Sequence, residues 1–174
     1  MMNPIRKEHP VMADARFEEG QERPLRLIAH DSEDLKVISA LVQDSVMSAN
    51  DLTYSARQRR FSLLLNRFRW EDRAAAQAAG RAFERVRAVL DFTDVTRVAH
   101  QGLGQRDPET VLSLLAVEFS AADVADPASP GRVLLTFAGD GAIALEVDCL
   151  NATLADVTRP YSAPSRRAPE HGPD

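Results

Sequence analysis

The sequence predicts an α+β domain, predominantly antiparallel β, in which two packed three- to four-stranded meanders form a sandwich or open barrel beside one amphipathic helix near the N-terminus. Three observations predict it. Apolar residues alternate with polar ones along most of the chain, the period of a half-buried strand. Only one stretch, Leu35, Ile38, Leu41 and Val42, repeats at helical spacing behind a capping residue. Glycine- and aspartate-bearing turns separate the alternating runs and are short enough for hairpins.

Leu25, Leu27 and Ile28 form a short strand-like run. Asp31 or Ser32 then serves as a helix N-cap, with Glu33 and Asp34 in the first turn, where carboxylates suit the helix dipole. The spacing predicts a helix over Glu33–Gln43. Leu52 and Tyr54, a polar break at Arg57–Arg60, and then Phe61, Leu63 and Leu65 predict a hairpin. The alanine-rich stretch Glu71–Ala82 lacks a wide apolar stripe and predicts a short helix or ordered excursion. Strands are expected at Val86–Phe92 and on through Val95 and Val98, at Leu112–Phe119, and at Val133–Phe137 and Ile143–Val147 around Ala138-Gly139-Asp140-Gly141. Asn151–Val157 is a further strand or a short turn of helix. The pairs Leu90-Asp91-Phe92 and Val147-Asp148-Cys149 fall at matching places in two similar runs, which suggests two related meanders. The whole gives about six to eight strands.

Composition bounds the function. The chain has 174 residues, 44% hydrophobic and 27% charged, enough for one globular domain and its core without a staple. Residues 1–24 and 159–174 read as disordered tails, because prolines and charges replace sustained apolar periodicity, so the domain is expected over 25–158. The net charge of −5 argues against a whole-chain polyanion binder. A single cysteine, Cys149, excludes an internal disulfide. No apolar run is long enough to cross a membrane and no signal peptide is visible, so a cytoplasmic protein without membrane contact is expected.

The distinctive segment is Arg57–Arg73. It carries Arg57, Arg59, Arg60, Arg67, Arg69 and Arg73 against only Glu71 and Asp72, with the sole tryptophan, Trp70. Guanidinium groups beside aromatic rings can hold an anion, so Arg59, Arg60, Asn66, Arg67, Arg69 and Trp70 are the candidate binding residues. The plainer alternative is that the arginine stems cover apolar surface and the heads pair with acidic loops. The expected partner is an anionic small molecule or an acidic protein surface. A single-stranded nucleic acid is the weaker expectation, since it requires Phe68 and Trp70 to stand exposed beside the arginines. A small enzyme using Asp91, Asp148 and His100 is the rival class and requires at least two of them to line one pocket. The histidines, His9, His30, His100 and His171, show no metal-ligand spacing, and neither metal nor cofactor is expected.

Several segments together resemble a known family. These are Leu25-Arg26-Leu27-Ile28-Ala29, Asp34–Ala40, Arg59-Arg60-Phe61, Leu65-Asn66-Arg67-Phe68-Arg69-Trp70-Glu71, Phe137-Ala138-Gly139, Gly141-Ala142-Ile143 and Leu145-Glu146-Val147. They resemble an uncharacterised proteobacterial family, domain of unknown function 2948, over about Leu25 to Val157. The run through Asn66 and Trp70 is the most specific. The resemblance implies a stand-alone bacterial cytoplasmic protein and brings no catalytic residues with it. The function expected is therefore a non-catalytic binding or interaction module.

Overall fold

The computed structural model describes residues 23–103, 107–164 and 167–170. The tail expected over 1–24 falls almost wholly outside them, as do His9 and His171. The described chain forms one open antiparallel sheet of eleven strands, more than the six to eight expected, and two short helices. The strands are β1 (Arg26–Ala29), β2 (Ser45–Ser48), β3 (Leu52–Ser55), β4 (Arg60–Phe68), β5 (Glu84–Phe92), β6 (Val95–Gln101), β7 (Val111–Ala121), β8 (Gly131–Phe137), β9 (Ala142–Val147), β10 (Ala152–Asp156) and β11 (Tyr161–Ser162). The helices are α1 (Ser32–Val42) and α2 (Arg73–Ala79).

Helix α1 forms where capping and spacing place it. The Asp31 carboxylate accepts from the Asp34 N–H at 2.8 Å, and Leu35, Ile38 and Val42 lie on its buried face. Each such side chain contributes about 1.5–3 kcal/mol by leaving water. The helix also mends the sheet. β7 slips register between Leu114 and Ala116, and the Val117 N–H just beyond the irregularity donates to Ser39 Oγ at 2.9 Å. The alanine-rich excursion is a 3-10 turn, Trp70–Asp72, followed by α2, which Gly80 ends in the left-handed region at φ 64°.

The sheet path runs β1-β10-β5-β4-β2-β7-β8-β9-β6, with β3 also on β4 and β11 also on β5. Strands β3, β4 and β5 pair consecutively, as do β7, β8 and β9. β2, which the sequence pattern does not reveal, joins the two sets by pairing with both β4 and β7. The strand after each set then leaves it: β6 pairs with β9, and β10 pairs with β5. The expected run from Val86 through Val98 is thus two strands at distant places in the sheet. At the crossing, Thr93 N–H donates to Asn151 O at 3.1 Å and Asp148 N–H to Asp94 O at 3.0 Å. The β8–β9 turn carries Gly139 at φ 77° and Asp140 at φ 67°, the positive values that hairpin turns favour.

The inward faces of the strands and of α1 form one core, with Phe61, Leu63, Leu90, Phe92, Leu135 and Leu145 fully or almost fully buried. Past residue 158 the chain stays on the sheet: Tyr161 and Ser162 pair with Arg85 and Glu84, and Ala163 is buried.

Candidate functional site

Strand parity decides where the arginines of the distinctive segment go. On β4, Phe61, Leu63 and Leu65 point into the core, so Arg67 follows them inward. It is 0% exposed. Its guanidinium meets two carboxylates. Nε and Nη2 donate to Asp156 Oδ1 and Oδ2, both at 2.9 Å, and Nη1 and Nη2 donate to Glu71 Oε2 and Oε1 at 2.9 and 2.8 Å. Both are fork-on-fork pairs, the strong form of the contact. Burial alone disfavours the charged forms of Arg67 and Glu71. Their mutual hydrogen bonds and charges, with those of Asp156 on Arg67, outweigh it, so the arginine pKa rises and the glutamate's falls. Asp156 also accepts from Leu25 N–H at 3.2 Å, so this node ties β4, the end of β10 and the start of β1 together.

The other candidates are paired as well. Arg69 binds Glu84 and stands 3.7 Å from Glu71 and 3.9 Å from Asp72. Asp72 is held below the usual carboxylate range chiefly by its hydrogen bonds from Arg81, at 2.6 and 2.8 Å. Trp70 Nε1–H donates to Gln43 O at 3.0 Å, its ring stands edge-on to buried Phe68 with centroids 4.8 Å apart, and the Arg73 guanidinium lies 5.8 Å from the indole centroid. The Asn66 carbonyl accepts from Arg85 Nη1 at 3.2 Å, and Asn66 Oδ1 is buried with no hydrogen-bond partner among the described residues. Arg59 and Arg60 are the half-exposed members, at 45% and 50%, and pair with Asp148 and Asp91. Arg59, Arg60, Arg67 and Arg69 thus pair with carboxylates, the arrangement that the plainer alternative describes. Phe68 is inside, so the exposed aromatic pair that a single-strand nucleic-acid surface requires is not formed.

Of the three residues of the enzyme reading, Asp91 and Asp148 pair with the adjacent Arg60 and Arg59, and His100 stands apart from Asp148. Asp91 takes Arg60 Nε at 2.7 Å and Ser62 Oγ at 2.5 Å, and Asp148 takes Arg59, so both carboxylates sit at the β3–β4 turn in ion pairs. His100 is near the far end of β6, opposite Ile143, whereas Asp148 adjoins the Val95–Val147 end. Along the strand that is roughly 16 Å. Cys149 lies beside Asp94, its thiol 3.6 Å from the carboxylate, and burial followed by that charge pushes its pKa up. Among the described residues, no three His, Cys, Asp or Glu groups stand together as metal ligands.

Register partners on neighbouring strands share a face, so the outer surface can be read row by row. On the β1 side, Arg26, Ala155, Val89 and Leu64 form one outward row. Beside it, Arg87 faces Asn66, and Arg85 faces Tyr161. Arg26 and Arg87 are exposed, Arg85 is half-buried, and among the described residues none of the three has an ion-pair partner. Parity again decides: Val86, Ala88 and Leu90 point inward, so Arg85 and Arg87 point out. This uncompensated cluster escapes a reading based on local charge density, because Arg26 is far from the others in sequence. On the β6 side one outward row is Arg97, Glu146 and Arg132, and the next, Ala99, Ala144 and Leu134, is uncharged. Ala99, Gln101, Leu134, Thr136 and Ala144, together with His100, Arg132 and Asp140, line an open groove of about 540 Å³.

The family described as protein of unknown function (DUF2948) matches residues 25–171, which include the buried arginine node, the outward arginine rows and β11. No curated protein and no solved structure matches the chain. No helix among the described residues is long and apolar enough to cross a membrane.

Proposed function

The chain belongs to the DUF2948 family of proteins of unknown function, and we propose that it acts as a non-catalytic binding module of the bacterial cytoplasm, presenting the outward face of β1, β10 and β5 to an acidic protein surface. One observation carries the reading. Arg59, Arg60, Arg67, Arg69, Arg81 and Arg132 are paired with carboxylates; of the arginines with no such pair among the described residues, which include Arg57, Arg73 and Arg97, three, Arg26, Arg85 and Arg87, share one sheet face. They flank a strip containing Ile28, 52% exposed, with half-buried Val89 and Leu64, and Tyr161 stands exposed beside them. Arginine and tyrosine around an apolar centre is the composition enriched at protein interfaces. The sheet face is broad, which suits a protein surface better than a small anion. The lone cysteine agrees with a reducing compartment.

The segment Arg57–Arg73 serves this surface from behind. By fixing β4 against β10 and the start of β1, the Arg67 node holds Arg26 and Arg87 in one plane. Labelled poly-glutamate titrated at low salt tests the reading. Arg26→Ala with Arg87→Ala is expected to weaken binding by at least about tenfold, with unchanged circular dichroism and melting. Unchanged affinity in the double variant sinks the assignment of this face.

A further inference from the structure

The geometry points to a second copy of this chain at the free edge of β6. The argument is independent of the arginine face and begins from the two ends of the sheet. β1 is four residues long and has α1 packed beside it. β6 is seven residues long, is paired only with β9 among the described residues, and contains no proline, lysine or acid; of the devices with which exposed edges are kept from pairing, it carries the single charge of Arg97 and the irregularity beside it. Its ladder is irregular between Val95 and Arg97, and Thr96 Oγ–H donates to Glu146 O at 3.2 Å. From Arg97 to Gln101 the register is unbroken, leaving five consecutive residues whose other edge has no strand partner among the described residues.

Those five residues are complementary to themselves. An antiparallel pair about a twofold axis at Ala99 sets Ala99 against the partner's Ala99, Val98 against the partner's His100, and Arg97 against the partner's Gln101. No like charges oppose each other, and each guanidinium meets an amide oxygen while keeping Glu146 on its other side. Centring the axis on Arg97 would instead set two guanidinium groups face to face. The outward row Leu134–Ala144–Ala99 then runs unbroken into the partner's Ala99, so the groove floors of the two copies join across the axis. Ala99 is exposed, and its small side chain lets the strands approach at ladder spacing.

Sedimentation velocity on the full chain tests this. The wild type is expected at twice the chain mass of 19.2 kDa. Ala99→Arg alone and Ala99→Glu alone each place like charges against each other at the axis and are expected to sediment as single chains. Their equimolar mixture is expected to recover the double mass. Ala99 is an outward side chain, and circular dichroism confirms that each variant folds. A wild type that stays at one chain mass overturns the proposal, as does a dimer that survives Ala99→Arg or a mixture that fails to associate.

Discussion

The inner end of β4 and the outer face of β5 hold the same side chain under opposite rules. Arg67 stands on the parity of Phe61, Leu63 and Leu65, and is enclosed with Glu71 and Asp156. Arg87 stands on the parity opposite to Val86 and Ala88, and reaches solvent with no carboxylate at hand among the described residues. The first arginine contributes as the cation shared by two carboxylates. The second remains available to a partner. Which task an arginine performs here is set by a one-residue phase within a strand, and local charge density carries no information about it.

The largest effect is expected where that contrast is broken from the inside. Arg67→Ala leaves the buried Asp156 without its cation and Glu71 with only the more distant Arg69, and is expected to cost about 3–5 kcal/mol in urea unfolding. A loss below about 1 kcal/mol would mean that the node is no stronger than a surface pair. The next effect is on pH. The folded-state pKa values of Glu71 and Asp72 are lowered, so their contributions are present above the unfolded carboxylate range, near pH 4, and are lost as pH falls through the folded values. Urea midpoints measured downward from pH 5 should therefore drop. The drop should be shallower in Arg67→Ala, which removes the cation holding Glu71 down; equal slopes would contradict that coupling.

Smaller is the expected effect of Trp70→Phe. It removes the hydrogen bond to Gln43 O while keeping a ring against Phe68, for about 1 kcal/mol in the same assay. Smallest is Arg26→Ala with Arg87→Ala. Stability should stay within about 0.5 kcal/mol of the parent, because neither side chain has an ion pair among the described residues. A destabilisation matching that of Arg67→Ala would erase the distinction between inward and outward arginines.

Much of the framework was legible where the determinants are local. The Asp31 cap and the Leu35, Ile38, Val42 stripe specify α1, and Gly139-Asp140 specifies the β8–β9 turn. The position of Arg67 was half legible: alternation from Phe61 already sends it inward, and Glu71, four residues on, is a visible partner. Its other partner, Asp156, is 89 residues away and could not be inferred from the neighbouring composition. β2 was hidden because four residues, Ser45–Ser48, carry too little alternation to stand out. The partner exchange of β6 and β10 was hidden because sequence adjacency favours a strand's nearest predecessor, whereas here short crossing segments carry each chain end to the other set. The outward arginine face was hidden for the same reason, since it assembles β1 and β5 through β10.

The ladder between β1 and β10 also imposes an order of events in time. Leu25 and Asp156, bonded to each other, are 131 residues apart in the chain. On the ribosome, β1 emerges early and has no ladder partner until β10 follows, nearly the whole domain later. The β7-β8-β9 set can pair as it emerges, but β5 waits for β10, and Arg67 waits for Asp156. A nascent chain halted before β10 thus holds Arg67 with only one of its two carboxylates and presents two bare strand edges, and a segment made late acts as the latch for the first.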